Sequence, residues 1–424
     1  MGFLRFLWRL FFSGGDSSKQ GGRPKRRRKQ RATLSPTRYR PRLTGPQYTT
    51  GQVVEQSPYP FARFYTGGEP GTRSSDVRYL DMTADRSTLP AERGLPLFHT
   101  PEELADWLDM PVGRLAWLIH RGCYHDRPEN ERAAHYHFHW TQKRTGGWRL
   151  IEAPKPILKA VQAKIQTEIL VKIPAHETAH GFVTGRSIVT NARPHVGQKI
   201  LVKYDLENFY ASVGFSRVVA IFRRIGYCRE ASLWLARLTT SALPPNISFA
   251  GGDPHSLEPY LKRHLPQGAP TSPALANLSA LGMDVRLQGL ANSYRANYTR
   301  YADDITFSGD ESLRRSLRSF LPLTTKIIRE ERFTVNMKKR KVIRRHQRQT
   351  VTGVIVNDKL NSSRHEFDHL KAILTNCLRN GPESQNRDQH PDFAAHLRGR
   401  IAHISQLNRN RGMKLLNLFN EIAW

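Results

Sequence analysis

Two adjacent acids framed by strand formers restrict this chain more than any other feature. Tyr298 to Arg300 leads into Tyr301-Ala302-Asp303-Asp304, and Ile305 to Phe307 leads out, so both aspartates occupy the turn of a hairpin. Adjacent carboxylates repel unless a cation sits between them. Earlier in the chain a β-branched and aromatic strand, Ile200 to Tyr204, runs into Asp205. Such a set suits phosphoryl transfer at a nucleotide, where two divalent ions roughly 4 Å apart clamp the attacking and leaving oxygens. Magnesium keeps several waters and takes few protein oxygens beside substrate phosphates, which matches a few aspartates and no imidazole. The expected cofactors are therefore two Mg2+ ions, with Mn2+ as a substitute, held by Asp205 and Asp303 with Asp304 in support. The plainer reading is a hairpin closed by two good turn formers, and the acidic pair alone does not exclude it.

Charge points to the partner. Sixty-six Lys and Arg against thirty-six Asp and Glu leave a formal net charge of +30, a field that gathers polyanions such as nucleic acid. Cys123, Cys228 and Cys377 are far apart and odd in number, which suggests neither a disulfide framework nor a close-spaced zinc site. Met1 to Phe12 is too short to span a bilayer and has no small-residue cleavage site after it, so a cytoplasmic protein is expected. On a helix Arg5 and Arg9 would share one face with apolar residues around the rest, an arrangement suited to contact with a partner or a membrane surface, or equally to a frayed tail. Residues 13–47 are rich in Gly, Ser, Lys and Arg and cannot build a core; they read as a partly disordered basic arm for phosphates or as a solvated linker. From 48 to 97 Pro, Gly and Thr persist, with Tyr59, Phe61, Phe64 and Tyr65 among them.

Folded structure is predicted from Thr100, where Thr-Pro-Glu-Glu supplies a cap, a proline at the first helical position and Glu103 to complete a capping box. Leu104, Trp107 and Leu108, then Leu115 and Leu118 after Met110-Pro111, predict two short amphipathic helices. His135 to Trp140 and Trp148 to Ile151 flank Lys143, Arg144, Thr145, Gly146 and Gly147, a hairpin with a basic tip. His135, His137 and His139 alternate along its first strand; histidines in such a position are more often structural than metal-binding.

Between the acidic segments lies Leu265-Pro266-Gln267-Gly268-Ala269-Pro270-Thr271-Ser272-Pro273, in which Gly268 permits close approach of the backbone to a ligand. The ordered trio of strand-end Asp, Pro-Gln-Gly loop and Tyr-Ala-Asp-Asp hairpin resembles motifs A, B and C of reverse transcriptases, and the likeness extends through most of residues 100–424. It implies an α+β right-hand polymerase fold with fingers, palm and helical thumb that copies RNA into DNA. By the same likeness the Gly-Gly-x-Arg hairpin belongs to the fingers, and Arg149 and Lys143 grip the incoming deoxynucleoside triphosphate (dNTP). Gln267 and Gly268 contact the nascent base pair, and Tyr210 presses on the sugar and excludes a 2′-hydroxyl. Phe333 to Lys341 looks like motif D, whose lysine, Lys339, would protonate departing pyrophosphate.

Asn191-Ala192-Arg193-Pro194-His195 and Val351-Thr352-Gly353 look like two signatures of retron enzymes. The retron resemblance implies that Asn191, His195, Val351, Thr352 and Gly353 help recognise the enzyme's own structured non-coding RNA. It also implies DNA synthesis primed from a guanosine 2′-hydroxyl, a branched RNA–DNA product, antiviral defence and a separate or fused effector protein. Capping and turn formation explain Asn191 and Gly353 as well. The tail from Leu397 to Trp424 is similar to the retron thumb, with Ile401, Ile404, Leu407, Leu415, Leu416 and Phe419 spaced for packed helices. Residues 1–98 and a Pro- and Gly-rich insertion, 242–264, depart from the minimal pattern. The expected organisation is a basic extension over 1–98, fingers and palm over 99–357 and a thumb over 358–424. The rivals are another bacterial reverse transcriptase, of group II intron or diversity-generating type, and a non-catalytic RNA-binding scaffold. The intact aspartate trio argues against the scaffold, which has no need to concentrate negative charge.

Overall fold

The computed structural model describes residues 89–119, 127–143 and 146–424, together with the backbone of a short strand pair, Phe64–Tyr65 with Arg78–Tyr79. The amphipathic opening, the basic arm, most of the stretch from 48 to 88, Cys123 and the tip residues Arg144 and Thr145 lie outside the described residues.

The helix predicted after Thr100 is α1, Pro101–Trp107. The Thr100 hydroxyl accepts from the Glu103 N–H at 3.2 Å, and the Glu103 carboxylate accepts from the Thr100 N–H at 3.4 Å, the two halves of the capping box. Helix α2, Val112–Ile119, follows the Met110-Pro111 break and buries Leu115 and Leu118. The basic-tipped hairpin is β1, Tyr136–Gln142, antiparallel to β2, Trp148–Pro154; Gln142 faces Trp148, so residues 143–147 form the tip. His137 and His139 are exposed. His135 Nε2 instead meets the Trp117 carbonyl oxygen at 3.0 Å, a structural role.

The strands of the central sheet are β3, Ile200–Glu207; β4, Asn297–Tyr301; β5, Asp304–Gly309; β6, Thr334–Val335; and β7, Lys341–Arg344. They run in the order β4-β5-β3-β6, with β7 also paired to β3. The period of two along β3 separates packing from chemistry. Ile200, Val202, Tyr204 and Leu206 enter the main core, which leaves Leu201, Lys203 and Asp205 on the other face. There Leu201 joins a small second cluster with Ala192, Val351, Val354, Val356 and Leu407.

Helix α3, Pro156–Glu168, packs behind the β1–β2 hairpin, and α4, Ile188–Ala192, covers the second cluster. The main core is completed by α5, Phe215–Ile225; α6, Arg229–Thr239; α7, Ser272–Ser279; α8, Leu281–Ser293; and α9, Leu317–Glu330. The insertion over 242–264 is folded against the hairpin. Trp140 Nε1 donates to the Ser248 carbonyl oxygen at 3.0 Å and its ring meets Phe249 and Tyr260 edge-on.

Three C-terminal helices, α10, Arg364–Asn380, α11, Phe393–Leu407, and α12, Arg409–Asn420, form a separate apolar cluster around Leu374, Ile401, Ile404, Leu415 and Phe419. At Gly412 a Cβ would overlap Ser405, so the α11–α12 turn closes only around glycine. Leu407, predicted with this bundle, packs instead behind the sheet. Among the described residues no helix is long and apolar enough to cross a membrane.

Candidate active site

Two turns bring the acids together. Asp205 lies opposite Asp304 in the β3–β5 register, and the Leu206 N–H donates to the Asp303 carbonyl oxygen at 2.9 Å. Tyr301 pairs with Asp304, so Ala302 and Asp303 form the tip of the β4–β5 hairpin, with Ala302 in the left-handed region at φ 54°.

A buried network holds this tip. Arg300 and Asp284 are both 0% exposed and meet through Nε–Oδ1 and Nη2–Oδ2 bonds of 2.7 and 2.6 Å. The Tyr298 hydroxyl donates to the same carboxylate at 2.7 Å. Arg300 Nη1 donates to Asn277 Oδ1 at 2.9 Å and to the Ala302 carbonyl oxygen at 3.1 Å. A planar, permanently charged fork is suited to such a junction. An arginine one residue before the turn, in a strand whose neighbours Tyr298 and Thr299 are strand formers, was the sequence signal for it.

Beside the tip opens a cleft of ≈ 470 Å³ lined by Lys143, Arg149, Glu152, Asp205, Tyr210, Gln267, Tyr301, Asp303 and Lys339 among others. Asp205 and Asp303 present their carboxylates to it. Burial raises the Asp303 pKa above the usual carboxylate range, and the charges of Asp205 and Asp304 raise it further. Lys339 Nζ lies 3.1 Å from both Asp205 oxygens. Asp304, expected to support the metals, is outside the cleft lining and is paired to Lys203 Nζ at 3.1 Å. No group of three or more His, Cys, Asp or Glu gathers into a ready metal cage among the described residues. Two carboxylates, one of them opposed by burial and like charge, nonetheless fit a hard divalent ion that draws its remaining oxygens from water and phosphate.

Across the cleft stand the cations. Burial lowers the Lys143 pKa, and Arg149 and Lys339 lower it further, a convergence of positive charge that a polyphosphate would relieve. Tyr210 is pushed up to about 12 by burial and then by Asp303. Gln267 is held by its backbone, whose carbonyl oxygen accepts from the Glu152 N–H at 2.8 Å. Gly268, next to Gln267, is exposed, and at φ 130° a Cβ would lie 3.1 Å from the Glu152 carbonyl oxygen. The close approach its missing side chain permits within the protein is to β2. Glu152 itself, missed in the sequence, is buried with its Oε2 2.8 Å from His264 Nε2. His264 Nδ1 lies 2.8 Å from the Lys262 carbonyl oxygen, so both ring nitrogens face acceptors and the imidazole pKa is raised despite burial. This pair ties the hairpin that carries Arg149 to the end of the 242–264 insertion.

The two signature segments form one unit on the face of β4 and β5 that, further along the strands, carries Asp205 and Asp304. His195 is 0% exposed, with Nδ1 2.7 Å from Ser308 Oγ and Nε2 2.8 Å from Thr299 Oγ1, and burial drops its pKa to about 3. A neutral imidazole between two rotatable hydroxyls is satisfied in either tautomer. Asn191, 1% exposed, donates through Nδ2 to Thr352 Oγ1 at 3.3 Å. Thr352 and Gly353 form a turn with φ 45° and 85° between the strands Thr350–Val351 and Val354–Ile355. Asn191, His195 and Val351 were expected to recognise RNA; all three are buried, so RNA does not touch these side chains, and only Thr352, half-buried, and exposed Gly353 offer that segment a surface.

Comparison with known proteins agrees with this geometry. Residues 141–356 match the family model described as reverse transcriptase (RNA-dependent DNA polymerase). The retron Mx65 reverse transcriptase of Myxococcus xanthus is 40% identical over 345 residues, 81% of this chain and 76% of that one. The retron Mx162 reverse transcriptase of the same organism is 39% identical over 62% of this chain and 54% of its own length. The retron Ec86 reverse transcriptase of Escherichia coli is 27% identical over 78% of this chain and 91% of its own.

Proposed function

Since the chain belongs to the retron-type reverse transcriptases and is an RNA-directed DNA polymerase, we propose that it copies part of its own structured RNA into DNA, primed from a guanosine 2′-hydroxyl. The observation that carries the site assignment is the facing of Asp205 and Asp303 against Lys143 and Arg149 across one cleft. In this reading residues from 99 form the fingers, the central sheet forms the palm, and the helices beyond 358 form the thumb. Asp205 and Asp303 would hold two Mg2+ ions, which Mn2+ could replace. When bound, such ions lower the pKa of a ribose hydroxyl and stabilise charge on the leaving phosphate.

The chain's own groups do the rest. Lys143 and Arg149 bind and orient the triphosphate of the dNTP by charge-assisted hydrogen bonds. Gln267 lies beside the nascent pair. The primer oxygen bonds to the α-phosphorus as the bond to pyrophosphate breaks, and Lys339 holds a proton at Nζ for that leaving group. Asp304 keeps Lys203 in place behind the turn. RNA recognition falls to the exposed turn at Thr352 and Gly353 and to the basic stretch from Lys338 to Arg348. Asn191 and His195 position that turn and the catalytic hairpin. A branched RNA–DNA product fits a role in antiviral defence beside an effector protein, and the +30 charge suits a lasting complex with RNA.

The priming step has a direct test. Cognate RNA carrying 2′-deoxyguanosine at the branch position supports no self-primed synthesis, whereas an annealed DNA primer on the same RNA is still extended. Equal self-primed synthesis from both RNAs overturns the assignment of the primer.

Tyr210→Ala lets ribonucleotides compete, because the ring that fills the space of the 2′-hydroxyl is gone. Discrimination between deoxy- and ribonucleotides, read as the ratio of kcat/KM values, falls by roughly tenfold or more, of the order expected when a pocket contact of 1–3 kcal/mol is lost. An unchanged ratio places the sugar gate elsewhere.

A further inference from the structure

Phe182 lines the cleft beside Tyr301 and the catalytic turn. At 59% exposure it is the most exposed of the large apolar side chains among the described residues that face solvent. Its backbone is in the left-handed region at φ 59°, which a bulky residue adopts only when its surroundings impose it.

Those surroundings are the catalytic hairpin itself. The Arg300 N–H donates to the Thr178 carbonyl oxygen at 2.8 Å and the His180 N–H to the Arg300 carbonyl oxygen at 2.7 Å, so residues 178–180 run along β4 as an added edge. The next residue, Gly181, is pinned by Asn277 Nδ2, which donates to its carbonyl oxygen at 2.8 Å. A Cβ on Gly181 would lie 2.7 Å from the Ala302 nitrogen, so only glycine brings the chain this close to the tip. Phe182 is thus delivered into the cleft by the same Arg300–Asn277 network that sets Ala302. Its ring centroid is 6.2 Å from that of Tyr301, tilted by 44°.

Strain and exposure together oppose folding, and neither is explained by packing. We infer that Phe182 is a stacking platform for a nucleobase of the polynucleotide strand that occupies the cleft, next to Tyr301. Every base has a π-face, so a ring without hydrogen-bonding groups holds any sequence, as a copying enzyme requires. Lys143, Arg149 and Lys339 serve phosphate in the same cleft, and Phe182 supplies the uncharged part of the grip. The inference rests on the polymerase reading of the cleft and not on 2′-hydroxyl priming, so its test uses an annealed primer–template.

The variants are Phe182→Gly, which suits the left-handed backbone and removes only the ring, and Phe182→Tyr, which restores a ring. Affinity for primer–template is measured over a range of salt, alongside the KM for dNTP, on duplexes with an abasic residue at each position near the primer end in turn. Phe182→Gly weakens binding by about tenfold, the scale of one base–aromatic stack, with an unchanged salt slope, and Phe182→Tyr restores it. At one position the abasic duplex weakens the wild type and has no further effect on Phe182→Gly. Wild-type affinity in Phe182→Gly, or additive losses at every position, overturns the inference. A raised KM for dNTP with strand affinity unchanged also overturns it, because the ring would then serve the incoming base. Since the wild type must extend the intact duplex in the same series, loss of the polymerase reading would be seen separately.

Discussion

Asp303→Asn lowers DNA synthesis by about 10³-fold or more while leaving RNA affinity within about twofold. Removing one of the two carboxylates that would hold the metal ions at the reacting phosphate forfeits several kcal/mol of transition-state stabilisation, at roughly 1.4 kcal/mol per decade. RNA affinity instead rests on many distributed Lys and Arg contacts to phosphate. The same substitution removes a charge that burial and two neighbouring carboxylates already oppose. In metal-free buffer the variant is therefore at least as stable to heat as the wild type. Primer extension, filter binding and thermal unfolding on one preparation check all three. Full activity contradicts the placement of the metal site, and a large fall in melting temperature contradicts the account of its electrostatics.

Asp284→Ala produces the largest loss of stability. It leaves the Arg300 guanidinium, 0% exposed, without its counter-charge, and breaking a buried pair from one side costs about 3–5 kcal/mol. Replacing both partners with apolar residues, Asp284→Leu with Arg300→Met, recovers much of that loss because no uncompensated charge remains. Activity does not recover with it, since Arg300 also holds Asn277 and the Ala302 carbonyl oxygen beside the catalytic turn. Denaturant midpoints and primer extension on the single and double variants separate the two roles. A double variant as active as the wild type shows that the network is only a stability device.

What the sequence revealed was local. The capping box at Thr100, the hairpin on either side of residues 143–147 and the acidic turn each depend on residues close in the chain, and each is found where propensity and spacing put it. The strand into Asp205 was read from its β-branched run, and its alternation also decides that the acid shares a face with Lys203 rather than with Tyr204. What the sequence hid depends on partners far away. Asp304 meets Lys203, a partner about a hundred positions away in the chain. Asn191 and His195 are internal because Thr352 of one segment and Thr299 and Ser308 of another close over them. Short signatures of polar residues look like binding surface until their hydrogen bonds are traced; here both His195 ring nitrogens and Asn191 Nδ2 find partners within the protein, while the buried Asn191 Oδ1 has none. Glu152 meets His264 across 112 positions, a pairing no local pattern announces. Phe182 carried no periodic signal, since its meaning lies in a backbone conformation set by Asn277 and the catalytic hairpin.

The central claim is that this polymerase makes DNA on its own RNA from an internal ribose hydroxyl, and the nucleic acid that copurifies from cells tests it most directly. The material is sequenced before and after treatment with an enzyme that cleaves 2′-to-5′ linkages. The account predicts a single DNA species complementary to part of a structured RNA, joined to that RNA until the branch is cut and released from it afterwards. DNA with a free 5′ end and no attached ribonucleotide, unchanged by debranching, would contradict the account of priming while leaving the RNA-directed polymerase in place.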